Sequence, residues 1–316
     1  MRSFTGKTYW LVGASEGLGA ALAHKLGAAG ATVVLSARSE DKLTALVDEL
    51  PGEARAVAMD VADMDNVREA AKTVGQVDGV VFLAGVYWPM KATEWDVEAA
   101  NAMADINFTG MMRVMGVCVP DMVARDSGHI VITGSLSGFR GLPGAIGYAA
   151  SKAGTMALAE SMYADLKDTG VDVQLANPGF IKTRLTDKND FKMPFLMQPD
   201  EAAEEMMDLM RSTRFKKSFP RVFSWVFRLS QFMPDWMYTV YLLKIKDNSL
   251  RPLSDGPVRT EEFCNGKPVN TSGRSSHPDE PRTGPRRGRV AGIHRPHDRR
   301  RTGRAGGGHV DRPRQF

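Results

Sequence analysis

Cysteine is nearly missing from this chain. Its 316 residues include two, Cys118 and Cys264, far apart in the sequence. Neither a disulfide framework nor a cysteine-based zinc site is expected from them, and a reducing, cytoplasmic setting fits. Long apolar runs are lacking too, and none approaches the roughly 18 residues that a membrane-spanning helix needs. The N-terminal residues carry no apolar segment ending in a small-residue cleavage site, so no secretory signal is expected. Internal repeats are absent. Most of the chain also lacks an excess of positive charge. Residues 1–250 hold 26 Lys and Arg against 30 Asp and Glu, whereas 251–316 hold 15 against 7. The overall net charge of +4 therefore belongs to the tail and says nothing about partners of the rest.

The tail itself is poor in large apolar residues, with Phe263, Ile293 and Phe316 nearly alone among 14 Arg and many Gly and Pro. Such a segment cannot bury enough apolar surface to offset the entropy of ordering, so 251–316 is expected to be disordered, beyond a single domain at 1–250. Its arginines would attract nucleic acid nonspecifically, or the segment has no function. Without interleaved aromatics or a groove-reading helix, no specific nucleic-acid reader is expected. The abrupt onset and arginine bias also suit translation of a shifted frame in GC-rich DNA.

What the chain does have, up to about residue 180, is alternation. Short β-branched or apolar runs at Thr8–Val12, Thr32–Ala37, Ala54–Met59, Gly79–Ala84, His129–Thr133 and Asp172–Ala176 read as strands. Helical periods near 17–29, 40–49, 63–74, 96–124 and 148–168 lie between them. Strands apolar on both faces suit a parallel sheet covered on each side. Regular β-α alternation with right-handed crossovers predicts an α/β fold, a Rossmann-type doubly wound sheet in three layers. Beyond Pro178 the rhythm breaks into an irregular apolar insertion at 184–199. A helix over Glu201–Met210, a last strand within Arg214–Phe219, and two short helices opened by Pro220 and Pro234 follow.

Directly after the first strand stands Val12-Gly13-Ala14-Ser15-Glu16-Gly17-Leu18-Gly19. Missing side chains let backbone approach a pyrophosphate, and the next helix offers free N–H groups and a positive dipole end. The alternative is a tight strand-helix turn with no ligand. The second strand ends in Ala37-Arg38, where NAD-preferring folds carry an acid for the ribose hydroxyls. An arginine there pairs with a 2′-phosphate, which favours NADP over NAD, unless Arg38 merely flanks a helix. Ser15 could add a hydrogen bond to that phosphate. Asp60-Val61 ends the third strand, placing a carboxylate where it accepts from an adenine amino group or caps the following helix.

Tyr148 and Lys152 fall at i and i+4, on one helical face. A phenol titrates near pKa ~10, and a neighbouring ammonium can depress it by about one to three units, making it usable as a general acid or base. Alone, such a pair carries no weight. Its surroundings give it weight: Ser135 lies just past the strand His129–Thr133, at the carboxyl edge where open parallel sheets bind ligands. A serine hydroxyl there can donate to a substrate oxygen as charge develops.

Gly13, Gly17 and Gly19, Asp60, Ala84-Gly85, Asn107, Ser135, Tyr148, Lys152, Asn177-Pro178-Gly179 and Thr183 occur in the order and spacing of one family. Over about residues 5–220 the chain resembles the short-chain dehydrogenase/reductase family. The resemblance implies seven parallel strands and hydride transfer between a nicotinamide and a carbonyl or carbinol carbon. It implies that Tyr148 donates or accepts the proton. Lys152 would bind the nicotinamide ribose and depress the Tyr148 pKa, Ser135 would orient substrate oxygen, and Asn107 would hold a relay water. Cofactor contacts would come from Gly13, Ser15, Glu16, Gly17, Leu18, Gly19, Arg38, Asp60, Val61, Ala84, Gly85, Tyr148, Lys152, Pro178, Gly179, Ile181 and Thr183. No metal is implied, and a homodimer or homotetramer is usual. Two departures stand out: Phe82-Leu83 precede Ala84-Gly85 where an Asn is usual, and Val12 replaces a common Thr.

The segment from Leu185 to Met197 is rich in Phe and Met, which suggests an apolar ligand beneath it or simple packing of a lid. Residues 219–246 interleave aromatics with Lys and Arg. Such a segment either packs as an oligomer or helix face, the preferred reading, or touches a membrane surface or shapes the mouth of the site. Three functions compete: an NADP-dependent alcohol dehydrogenase or ketone reductase of an apolar small molecule, a nucleotide-sensing regulator without turnover, and a tail-driven nucleic-acid binder. A sensor has no need of Asn107, Ser135, Tyr148 and Lys152 together, which favours the enzyme.

Overall fold

Along the first strand, Tyr9 and Leu11 belong to one apolar core while Trp10 and Val12 belong to another. Side chains alternate across a sheet, so a strand that is apolar throughout must be covered on both faces. The computed structural model, which describes residues 1–189 and 193–240, shows that arrangement. Its strands are β1 (Thr8–Val12), β2 (Thr32–Ser36), β3 (Ala54–Ala56), β4 (Gly79–Phe82), β5 (Gly128–Thr133), β6 (Val171–Pro178) and β7 (Lys216–Phe219). They form one seven-stranded sheet in the order β3-β2-β1-β4-β5-β6-β7, and every neighbouring pair is parallel.

Eight α-helices are found among the described residues. They are α1 (Gly17–Ala28), α2 (Glu40–Glu49), α3 (Met64–Val74), α4 (Val97–Ala104), α5 (Gly110–Ala124), α6 (Ile146–Asp165), α7 (Pro199–Arg211) and α8 (Arg221–Ser230). Leu22 and Leu26 of α1, Leu43 of α2, and Met206 and Met210 of α7 fill the core on one face of the sheet. Val67 of α3, Met111 and Met115 of α5, and Met156 of α6 fill the other. This is the doubly wound, three-layer α/β fold expected from the alternation.

Several boundaries differ for local reasons. The helix expected over 96–124 is interrupted by a π-helical turn, Asp105–Thr109, between α4 and α5. The third strand stops at Ala56 as a regular strand, yet Val57 and Met59 still donate to Leu35 and Ala37. The last strand begins at Lys216, and α6 starts at Ile146. Pro220 caps α8 as anticipated, and residues 235–240, after Pro234, are helical as well. Positions 241–246, Phe191 and the expected disordered tail 251–316 lie outside the described residues. No described helix is long and apolar enough to cross a membrane.

The strand order reverses between β1 and β4, so the chain leaves their carboxyl ends in opposite directions and a crevice opens there.

Candidate active site

The glycine turn after β1 sits in that crevice. Gly13 adopts φ +90°, and a Cβ on it would lie 2.4 Å from the Ala84 nitrogen. The close approach joins the turn to Ala84-Gly85 after β4, and only glycine combines that φ with that spacing. Gly17 (φ +58°) stands where a Cβ would meet the Thr183 methyl at 2.9 Å, so the turn also touches the loop after β6. A Cβ on Gly19 would lie 2.5 Å from the Gly13 carbonyl oxygen, which lets α1 start tight against the turn. Glu16 occupies the α1 N-cap position without a side-chain capping bond, and no acid stands in the first turn. Its carboxylate instead pairs with Lys42, at 3.1 Å, and with Arg184. The positive end of the α1 dipole is thus left without an acidic cap, beside a backbone cradle that a Cβ would fill. Both features fit a dinucleotide pyrophosphate.

Ser15 is half-buried in the same turn, and Leu18 packs against the core. Arg38 lies exposed past the end of β2, and among the described residues no ion pair or hydrogen bond engages it. Asp60 does not cap α3. Asp63 does, accepting from the backbone nitrogens of Asp65 and Asn66. Asp60 accepts from Ala62 N (2.9 Å), closing the turn past β3. Val61 is buried against Gly110, where a Cβ would come within 2.9 Å of its side chain. Pro178 ends β6, Gly179 N donates to Phe219 O (2.7 Å), and Ile181 bridges to Met197. The Thr183 backbone nitrogen donates to Thr186 Oγ1 (3.0 Å).

Tyr148 and Lys152 lie one turn apart near the start of α6, with the Lys152 Nζ 5.8 Å from the Tyr148 ring centre. Ser135, extended and just past β5, accepts from the nitrogen (3.2 Å) and hydroxyl (2.9 Å) of Ser137. The Lys152 Nζ donates to the Thr133 carbonyl (2.8 Å), and the side chain is almost wholly buried. Burial disfavours its charge and pushes its pKa down to about 8. The Tyr148 side chain opens partly to the cleft, but burial around it raises the phenol above its ordinary value, with a Ser135 hydrogen bond acting in the opposite direction.

Asn107 sits in the π-helical turn and is fully buried. Its amide nitrogen donates to Val86 O and Ser151 Oγ (both 3.0 Å), and its oxygen accepts from Val86 N (2.7 Å). A Cβ placed on Gly85 would lie 3.4 Å from the Asn107 Oδ1 and 3.8 Å from the Lys152 Nζ. Both polar atoms therefore face one point that a glycine keeps free.

Beside Tyr148 and Ser135 lies a cavity of about 150 Å³. Leu136, Leu142, Phe180, Leu185, Phe223 and Phe227 give it apolar walls. Tyr87 lies across it, edge-on to Tyr148 with ring centres 5.1 Å apart. Among the described residues of the loop after β6, Leu185, Thr186 and Asn189 line this cavity, Ile181 bridges to Met197, and Lys188 donates to the Tyr87 carbonyl (2.9 Å). Leu185 faces the cavity, while Phe195 and Leu196 are exposed. A larger cavity of about 470 Å³, against Trp10 and Cys118, is lined by none of the expected site residues. Among the described residues no cluster suited to a metal is present.

Phe223 and Phe227 belong to the aromatic segment 219–246, one reading of which placed it at the mouth of the site, whereas Tyr87, Ser137 and Ser151 were not singled out from the sequence. Ser151 stands inside the Tyr148–Lys152 run and was open to notice. Tyr87 and Ser137 are brought in by loops, with no motif to mark them.

Over residues 7–193 the chain matches the family model for short chain dehydrogenases. A protein of Myxococcus xanthus (strain DK1622), named as an uncharacterized oxidoreductase, is 35% identical over 245 residues, spanning 75% of this chain and 97% of the relative. One solved structure, described as a short chain dehydrogenase/reductase family protein, is similar with TM-score 0.64 and 27% identity, covering 69% of this chain and 95% of that one. A 3-oxoacyl-acyl-carrier-protein reductase from Brucella melitensis, with bound NAD, is similar with TM-score 0.63 and 25% identity, covering 69% and 90% of the two chains.

Proposed function

Because this chain belongs to the short chain dehydrogenase family, and with it is an NAD(P)-dependent oxidoreductase acting on CH–OH groups, we propose that it interconverts an apolar ketone and its alcohol using NADP(H), with Tyr148 as the acid or base. The observation that carries this reading is the meeting of Tyr148 and Ser135 at an apolar cavity, with Lys152 behind them at the Gly85 gap. Bound at the crevice, the reduced nicotinamide would supply a hydride to the carbonyl carbon. The Tyr148 hydroxyl then gives its proton to the carbonyl oxygen while Ser135 donates a hydrogen bond to the same atom. Lys152 holds the nicotinamide ribose, and its ammonium stabilises the phenolate left on Tyr148. Asn107 and Lys152 flank a position where one water can carry a proton back to the site.

The α1 N-terminus and the Gly13–Gly19 turn hold the pyrophosphate. Pro178, Gly179, Ile181 and Thr183 position the carboxamide, and Asp60 with Val61 borders the adenine. Exposed Arg38, with no acid on the last residues of β2, supports NADP over NAD, and Ser15 adds a donor. The apolar walls support an acyl or other lipophilic carbonyl, in keeping with the 3-oxoacyl substrate named for the Brucella melitensis reductase. Members of the family commonly oligomerise, and a homodimer or homotetramer is proposed here. The test is NADPH oxidation across acyl-thioester, aliphatic, aromatic and steroid ketones. Turnover should fall at least about a hundredfold in Tyr148→Phe, as expected for loss of a general acid. Arg38→Asp should shift preference toward NADH. A panel without a Tyr148-dependent substrate would overturn the reading.

A further inference from the structure

Helix α8 carries two apolar faces. Phe223 and Phe227 line the cavity, whereas Val222, Trp225, Val226 and Leu229 point outward at spacings of three and four. Trp225 is 50% and Leu229 59% exposed, and the turn beyond adds Phe232 at 85% and Trp236 at 70%. These residues are not outward because the segment is loose. Arg140 donates to the carbonyls of Ser230 and Met233, pairs with Asp235 and stacks on the Tyr238 ring, while the Tyr238 hydroxyl donates to Gly141 O (2.6 Å). The segment is fastened to the body on one side and bares its apolar residues on the other.

Charge decides what can cover this face. Arg221 and Arg228 lie on α8, which has no acid. Asp235, the sole acid from 213 to 246, is engaged by Arg140. The patch is basic on a segment, residues 1–250, that is acidic overall. A second copy docked face to face would set these arginines against their like. The chain's own tail, 251–316, carries 15 Lys and Arg against 7 Asp and Glu and few apolar residues, so its composition complements neither the charge nor the apolar character of this face. Bulky apolar residues framed by cations fit an anionic lipid leaflet, in which an amphipathic helix lies flat with its aromatics at headgroup depth.

We propose that α8 and the turn through Trp236 form a docking surface for anionic lipid bilayers, with the helix in the interfacial plane. The reading needs no turnover and stands apart from the reductase assignment. If both hold, the cavity wall made by Phe223 and Phe227 is the inner side of the helix that touches the leaflet.

The test is flotation of the full chain with phosphatidylcholine vesicles, with or without phosphatidylglycerol. The expected result is co-flotation with the anionic vesicles, weakened by high salt. The double variant Leu229→Glu, Phe232→Glu should lower vesicle affinity by roughly tenfold or more, since each large apolar side chain counts that much. Its far-UV circular dichroism and urea midpoint should match those of the unaltered protein, which confirms folding without any assay of turnover. Failure to float, or flotation unaffected by the double variant, would overturn the proposal, the latter assigning binding to the basic tail. So would light scattering showing that the variant splits an oligomer while vesicle binding persists.

Discussion

Raising the pH through 8 in the free enzyme should remove the charge that Lys152 offers to a nucleotide. The Lys152 Nζ is buried, donates to the Thr133 carbonyl, and has no carboxylate among the causes of its shift, so burial pushes its pKa from 10.5 down to about 8. One pH unit above that value the ammonium fraction falls about tenfold, equivalent to ~1.4 kcal/mol of lost binding if only the charged form holds the ribose. The NADPH dissociation constant should therefore be flat below pH 7.5 and rise about tenfold per unit from pH 8.5 upward. Other strongly shifted buried groups titrate elsewhere: burial and Arg2 push His129 down to about 3, and burial pushes Cys118 up to about 12. Quenching of tryptophan fluorescence by NADPH between pH 6.5 and 9.5 measures the curve. Lys152→Arg, which keeps its charge throughout, should bind with little pH dependence even if more weakly. A wild-type curve that stays level to pH 9.5, or that Lys152→Arg reproduces, would refute the reasoning.

Gly13→Ala places a methyl 2.4 Å from the Ala84 nitrogen at φ +90°, a backbone clash that no rotamer relieves. It should destabilise the fold by about 2 kcal/mol or more and abolish NADPH quenching, as urea titration and fluorescence would show. The buried, neutral His129 ring donates from Nε2 to the Gln174 amide oxygen (2.9 Å) and accepts at Nδ1 from the Tyr9 hydroxyl (2.8 Å), with the Arg2 guanidinium alongside. Its folded pKa of about 3 lies below the unfolded value of 6.5, so its contribution is fully present above pH 6.5. Stability should fall by up to about 1.4 kcal/mol per pH unit as the pH drops from 6.5 toward 3. The His129→Gln protein should show a shallower slope in urea midpoints, and an equal slope would exclude this histidine as the cause.

The alternation of apolar strands and helical periods was enough to predict the layered sheet, because burial on both faces writes itself into every strand residue. Gly13, Ser135, Tyr148 and Lys152 were legible for a related reason: their spacing reflects backbone geometry local to a turn or a helix. Less local features were hidden. The π-helical turn that buries Asn107 depends on Val86 and Ser151, which approach from other elements. Tyr87 reaches Tyr148 only through the folded β4–α4 loop. The cavity face of α8 could not be told from its outer face, since both are aromatic. Asp60 was read as a candidate cap because it precedes α3, but Asp63 stands three residues nearer and takes the role.

The fastening of residues 230–238 by Arg140 sets a boundary for anyone shortening the chain. Arg140 follows directly from the loop that presents Ser135, so a terminus placed before Tyr238 would strip bonds from both ends of one strut. A trimmed protein intended to lack only the basic tail should retain Tyr238. One cut at the end of α8 would be expected to crystallise or turn over poorly through a loosened serine loop, even with every motif residue intact.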